Sequence, residues 1–226
     1  MSLAALTGTP YRTKRELVYH SLRDAIMRCD LAPGHRLLID DLARRLEVSA
    51  IPVREALQLL QSEGLVTNVP HVGATVSPIS RHCIDEVFLI MESLEMVATR
   101  SAALRMTDEE AASLEQLVSA MDRALEAGRH GEWADLNSRF HLAISRLSAM
   151  PLLQEMTERA LARWDRVRRY YFNGVLVHRA EQAQGEHRAL MAAMRARDLA
   201  GLERLVRDHN RGALEAYAEY IRRAAE

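Results

Sequence analysis

The 226-residue sequence predicts a mainly α-helical protein: an N-terminal winged helix-turn-helix followed by a C-terminal antiparallel all-α helical bundle. Three observations predict it. Residues 37–66 hold two short apolar-periodic segments joined by a tight turn and followed by the start of a hairpin. Beyond residue 83 apolar positions recur at helical spacing with few interruptions. The composition agrees, with 48% hydrophobic residues, only 5% aromatic, and 10 Gly and 6 Pro in the whole chain, a balance that favours Ala- and Leu-rich helices.

The elements follow in order. Residues 1–10 carry no charge and no periodicity, and 1–12 reads as a disordered N-terminus. A helix over 13–29 turns Leu17, Leu22, Ala25 and Ile26 inward. Residues 30–34, Asp-Leu-Ala-Pro-Gly, are a turn by composition. The next helix carries Leu38, Leu42 and Leu46, and Glu47-Val48-Ser49 is the tight turn. The helix after it carries Val53, Ala56, Leu57 and Leu60 and stops at Gly64. Pro52 falls in its first turn, where a missing N–H costs nothing. Residues 65–67 and 73–76 then form two strands around a turn, a β-wing. A helix pair with a small hairpin is the arrangement that sets one helix in the major groove of DNA. Residues 77–80 read as a linker, which divides the chain into 13–79 and 80–226.

In the second part the spacing predicts helices over about 83–106, 107–127, 132–148, 151–172, 179–197 and 199–223. Thr107 and Glu110 match a capping box, with Gly128 closing that helix. Pro151 opens the fourth helix, and Asn173-Gly174 is expected to stop it.

Composition excludes several classes. No stretch approaches the roughly 20 apolar residues of a membrane span, and no signal peptide is visible. Cys29 and Cys83 are distant in sequence and are expected to be free thiols in a cytoplasmic protein. The net charge of −1 is modest for a nucleic-acid binder. Residues 1–80 hold nine basic and eight acidic side chains, so any basic footprint is local. Arg12, Lys14 and Arg15 form one cluster and Arg44, Arg45 and Arg54 another.

The strings Val18-Tyr-His-Ser-Leu-Arg-Asp-Ala-Ile26, Leu31-Ala-Pro-Gly34, Pro52-Val-Arg-Glu-Ala-Leu57 and Glu63-Gly-Leu-Val66, with Leu42-Ala43, Val48-Ser49 and Gly73, resemble a GntR-type transcriptional regulator. Leu94-Glu95, Phe140-His141, Glu186-His187 and His209 resemble its FadR-like (FCD) branch. The resemblance covers nearly the whole chain after residue 13. It implies a homodimer that binds a pseudo-palindromic double-stranded DNA operator, as a repressor, under control of a small effector. It also implies DNA contacts from Arg44, Ser49, Arg54, His71 and Gly73. The chain departs from the pattern where Ala50 and Val72 replace Arg and Ile51 replaces Thr, so two common guanine readers are apolar here. Arg54 on the recognition helix either meets DNA or pairs with Glu55 or Glu47. His71 at the wing tip either reaches the minor groove or is a solvated turn residue.

A lone histidine on an apolar helix face is more often a satisfied core residue than a ligand. Here three coincide. His141 lies on the edge of the face marked by Trp133, Leu136, Phe140, Ile144 and Leu147, with Asn137 one turn before it. His187 shares a face with Ala183, Leu190, Met191 and Met194. His209 shares one with Leu202, Leu205, Val206, Ala213 and Tyr217. Three imidazoles entering one core from three helices are costly unless each finds a partner, and one divalent transition metal (zinc, nickel or manganese) satisfies all of them. The resemblance implies a metal site of Asp-x3-His, His and His, with Asn137 standing at the Asp. A neutral amide ligates weakly, through its carbonyl or through a water, and leaves the ion's charge less compensated. Asp135 is expected to face elsewhere.

The effector pocket is expected to include Met91, Glu95 and Tyr171. The family often carries Arg where this chain has Met91, a cation that meets a carboxylate. Arg100, Arg146 or Arg168 are substitutes between which the sequence does not choose. Tyr170 and Tyr171 line the pocket or serve the core or a dimer. An acid effector on the metal is one reading. The alternative from another class is a metal-dependent enzyme using the three-His site, for which Glu186 is the candidate base. A third reading gives the bundle a role in dimerisation alone.

Overall fold

The computed structural model describes residues 13–224. The expected disorder of 1–12, and with it Arg12, lies outside them. The chain divides into two compact units with the boundary between Ile79 and Ser80.

The first unit contains α1 (Lys14–Met27), α2 (Ile39–Arg45), α3 (Ala50–Ser62), β1 (Val66–Val69) and β2 (Gly73–Val76). Thr13 caps α1 by accepting from the Glu16 amide. Val18, Leu22, Ala25 and Ile26 form its buried face, so Val18 takes the place expected for Leu17, which sits one position round the helix. A similar shift occurs at α2. Leu38 is 44% exposed as the residue before the helix, and Leu37 is buried in its stead. The cause is a strand-like approach that sequence periodicity does not reveal. The Leu37 amide donates to Ala74 and the Val76 amide to His35, so residues 35–37 run along β2 and Leu37 turns into the core. Glu47, with φ 55°, makes the tight turn between α2 and α3. Gly64, with φ 72°, ends α3 in the left-handed conformation that glycine adopts without strain. The wing pairs antiparallel, Val66 opposite Val76 and Val69 opposite Gly73. Ser77 donates its amide to Leu65, so the expected linker begins pinned to the wing.

The second unit is a six-helix bundle of α4 (Arg81–Arg105), α5 (Asp108–Glu126), α6 (His130–Leu147), α7 (Pro151–Tyr170), α8 (Val177–Ala196) and α9 (Leu199–Ala224). Ser80 caps α4, and Thr107 with Glu110 forms a complete capping box on α5. Helix α4 packs on α9, α7 and α6, while α8 bridges α5 and α9.

The expected stop at Asn173-Gly174 does not form. Residues Phe172–Leu176 make a π-helical turn that leads straight into α8. Gly174 is there for space: a Cβ on it would lie 2.3 Å from the Tyr220 ring of α9. Glycine in this case marks a close approach between elements, and the π-turn widens the backbone to admit it.

The bundle core centres on Phe140, Trp133, Met121, Met194 and Leu202, all at or near zero exposure. Phe140→Ala should lower the stability of this unit by about 3–5 kcal/mol, the cost of truncating a buried aromatic side chain. Chemical denaturation followed separately for the two units should show the loss in the bundle and none in the winged helix.

Candidate metal centre and nucleic-acid interface

The three histidines come together. Asn137 and His141 sit one turn apart on α6, His187 on α8 and His209 on α9, all buried. One ring nitrogen from each histidine lies within 4.8 Å of the others. Asp135 is on the solvent side of α6, paired with Arg168 and Arg169.

The polar surroundings orient two of the rings. His141 Nδ1 is 2.9 Å from Glu95 Oε1, and His209 Nδ1 is 2.7 Å from Glu186 Oε2. A carboxylate on Nδ1 holds the ring and leaves Nε2 as the nitrogen free to ligate, the arrangement that metal-binding histidines favour. Each carboxylate is itself held. Asn210 on α9 donates to Glu95 Oε2 at 2.7 Å, and Arg179 Nη2 donates to both oxygens of Glu186 at 2.8 and 2.7 Å. Burial works to raise the Glu95 carboxyl, but His141, His209 and the Asn210 amide hold it below the usual carboxylate range. Glu186 behaves alike: burial opposes the charge, and bonds to His209 and Arg179 keep it. A carboxylate so occupied is a poor general base, which removes the base the enzyme reading needs.

His187 differs. It is fully buried and neither ring nitrogen has a hydrogen-bond partner. Burial drives its pKa well below the ordinary imidazole value, and His209, His141 and Arg179 add to the effect. A neutral imidazole with both nitrogens unsatisfied, beside two rings offering Nε2, fits a divalent transition ion. His141, His187 and His209 would hold such an ion, with Asn137 beside them.

Next to the cluster lies a cavity with about 530 Å³ of empty space, part of it open to solvent. Its walls include Phe88, Met91, Glu95, Trp133, Trp164 and Tyr217. Met91 and Glu95 therefore stand where the sequence suggests. Tyr171 does not line the cavity; it packs against Tyr170, Tyr217 and Tyr220, behind the wall. None of Arg100, Arg146 and Arg168 reaches the cavity: Arg100 pairs with Glu203 at the surface, Arg146 is exposed, and Arg168 is locked between Asp165 and Asp135. The cation of the cavity is Arg179, which sequence reasoning passed over. Its spacing to His187 along α8, two turns and a fraction, was the available signal.

The second candidate surface is in the winged helix. Ile51, Arg54, Glu55 and Gln58 form the exposed face of α3. Arg54 makes no ion pair among the described residues, with Glu55 and Glu47 included. Ser49 precedes α3 without using its hydroxyl as a cap. Arg44 is exposed and pairs with Asp41 at 3.1 Å. His71, with φ 62°, and Gly73, with φ 94°, shape the wing tip. Ile51 is 67% exposed, unusual for so large an apolar side chain beside a charged one.

Comparison with known proteins places these features. Residues 14–76 match the model of the bacterial regulatory proteins of the gntR family, and residues 86–212 match the FCD domain. The chain is 32% identical over 171 residues to the HTH-type transcriptional regulator McbR of Escherichia coli K12, covering 76% of this chain and 77% of that protein. It is 28% identical over 213 residues to the HTH-type transcriptional repressor RspR of the same organism, covering 94% and 91%. The solved structure of E. coli McbR/YncC superimposes with a TM-score of 0.71 at 27% identity, over 93% of this chain and 100% of that one. A GntR regulator from Rhodococcus sp. RHA1, at 20% identity and a TM-score of 0.70 over 92% and 97%, shares the fold.

If His187 were an ordinary core residue, replacing it would only destabilise. Its unpartnered nitrogens predict otherwise. His187→Leu should raise the melting temperature of chelator-treated protein, because it removes buried polar atoms that cost about 1–3 kcal/mol each when unsatisfied. The same variant should lose any stabilisation by added zinc. Thermal melts of both proteins with and without zinc check this.

Proposed function

Because the chain belongs to the GntR family of bacterial regulatory proteins, and to its FCD branch, we propose that it is a homodimeric repressor whose grip on an operator is set by a small acid bound beside a metal ion in the bundle. That it is a DNA-binding transcriptional regulator and not an enzyme follows from the family and from its named relatives. The observation that carries the finer reading is the histidine cluster: two rings held by carboxylates, a third with no partner, and a cavity alongside. Bound there, a divalent ion supplies a Lewis-acidic, positively charged point for an acid's oxygen. The chain's own part is to orient the rings through Glu95 and Glu186 and to exclude water with an apolar wall.

On the DNA side, α3 is the recognition helix, with Arg54 as the reader and Ser49, Arg44, His71 and Gly73 fixing the backbone and wing contacts. An exposed Ile51 beside Arg54 meets a thymine methyl rather than the acceptors of guanine. The operator therefore differs from that of a relative carrying Arg or Thr at these positions.

A second copy is supported by the outer face of the bundle. Ile90, Val97 and Leu104 recur every seven residues along α4, all exposed, and Leu152 and Met156 of the adjoining α7 are exposed too. An apolar stripe at heptad spacing is what a partner helix covers.

Fluorescence anisotropy on DNA from the protein's own locus tests the regulator reading. Arg54→Ala should cost about 1–3 kcal/mol of operator affinity and relax specificity at one position; an unchanged affinity would remove Arg54 from the interface. Val97→Glu should yield monomers by light scattering and weaken operator binding, because one recognition helix reads only a half-site. His187→Ala should abolish the response to acid while leaving the metal-independent DNA affinity within a few-fold.

A further inference from the structure

We propose that the wing reads the minor groove of an A·T pair beside the α3 contacts, with Val69, Pro70 and Val72 as an apolar tip that accepts A·T and rejects G·C. This rests on the reading of α3 as the recognition helix and adds a second source of operator specificity. Four observations carry it.

The first is charge. Residues 66–76, Val-Thr-Asn-Val-Pro-His-Val-Gly-Ala-Thr-Val, hold no Lys, Arg, Asp or Glu, in a chain that is 27% charged. A wing built to grip phosphate would carry cations, because phosphate contacts are electrostatic. The second is exposure. Val69 and Val72 are each 38% exposed, and Pro70 and His71 between them are exposed as well. The tip thus turns two valines and a proline to solvent, with His71 as its one polar side chain.

The third is shape. Val69 stands opposite Gly73 in the hairpin register, so no side chain of the partner strand covers it. A Cβ on Gly73 would meet nothing within 4 Å, which leaves that side of the tip open. The turn is nonetheless fixed. The Val72 amide donates to the Val69 carbonyl at 3.1 Å, and His71 and Gly73 both hold positive φ. Lower down, Thr67 and Thr75 spend their hydroxyls on each other at 3.2 Å. Asn68 alternates to the other face of β1 from Val69. The wing therefore narrows to one apolar turn, the part that a groove about 6 Å wide admits. The fourth is position. β1 starts at Val66, four residues after α3 ends at Ser62. Four-residue strands carry the tip about 13 Å from the foot of the wing, close to the width of the major groove that α3 would fill. That reach clears the phosphate strand bordering the neighbouring minor groove.

The chemistry of that groove sets the preference. A·T and T·A show only acceptors there, and G·C adds the guanine N2 amino donor. Against valine and proline the amino group loses water and finds no acceptor. An N–H of His71, by contrast, can donate to adenine N3 or thymine O2.

The experiment uses inosine, which lacks the N2 amino group. An I·C pair shows an A·T-like minor groove and a G·C-like major groove. Full-length protein is titrated by fluorescence anisotropy against the operator footprinted at its own locus, with each A·T pair replaced in turn by G·C and by I·C. At one A·T position flanking the α3 contacts in each half-site, G·C should weaken binding about tenfold, and I·C should restore it to within about twofold. Val72→Asn offers an amide oxygen to the amino group. It should cut the G·C penalty at that position to about threefold or less, with the slope of affinity against salt unchanged. If no position shows this pattern, or I·C is as damaging as G·C throughout, sequence is read from the major groove alone, and the wing proposal falls while the α3 reading stands. Undiminished discrimination in Val72→Asn would remove the valine tip in the same way. A protein that binds no DNA from its own locus overturns both readings. The base-analogue series runs on the unmodified protein and decides the matter even if the variant does not fold.

Discussion

The bundle depends on how three imidazoles are accommodated in one dry core. Burying a polar ring is costly unless its nitrogens are met. His141 and His209 are met on one side, by Glu95 and Glu186. Those carboxylates are then obligations of their own, discharged by Asn210 and Arg179. The chain of partners passes through α4, α6, α8 and α9 and stops at His187, the one ring left with nothing. These pairings join polar groups of four helices beside the cavity, within a bundle whose packing rests on its apolar core.

The same logic explains the division of labour between the sites. A surface that reads DNA has to be exposed, whereas polar groups buried in a bundle have to be paired. On α3 the outer face carries Arg54, without an ion pair among the described residues, and Ile51 turned to solvent. In the bundle the reverse holds: the buried Glu95, Glu186 and Arg179 are paired with neighbouring polar groups.

Much of this was legible in the sequence. The winged helix could be read from apolar spacing, Pro52 and Gly64, because those signals act within a few residues. The three histidines could be placed because each shares a helical face with strong core residues such as Phe140, Leu190 and Val206. Other features depend on contacts between distant segments and left no local trace. Leu37 enters the core instead of Leu38 because residues 35–37 pair with β2. Gly174 reads as a helix stop and proves to be a point of close approach to Tyr220, inside a π-turn that joins α7 to α8. Tyr171 does not line the cavity, and the arginine that does is Arg179 rather than Arg100, Arg146 or Arg168, since only the fold decides which helix faces enclose it.

The central claim is that His141, His187 and His209 form one divalent-metal site. Calorimetric titration of zinc into chelator-stripped protein tests it most directly, with the melting temperature read at each addition. The account predicts saturation at one ion per chain and a rise in stability that grows with free zinc, about 2.7 kcal/mol at a hundred times the dissociation constant. Saturation at far less than one ion per chain, or binding that leaves the melting temperature unmoved and survives His187→Leu, would contradict it.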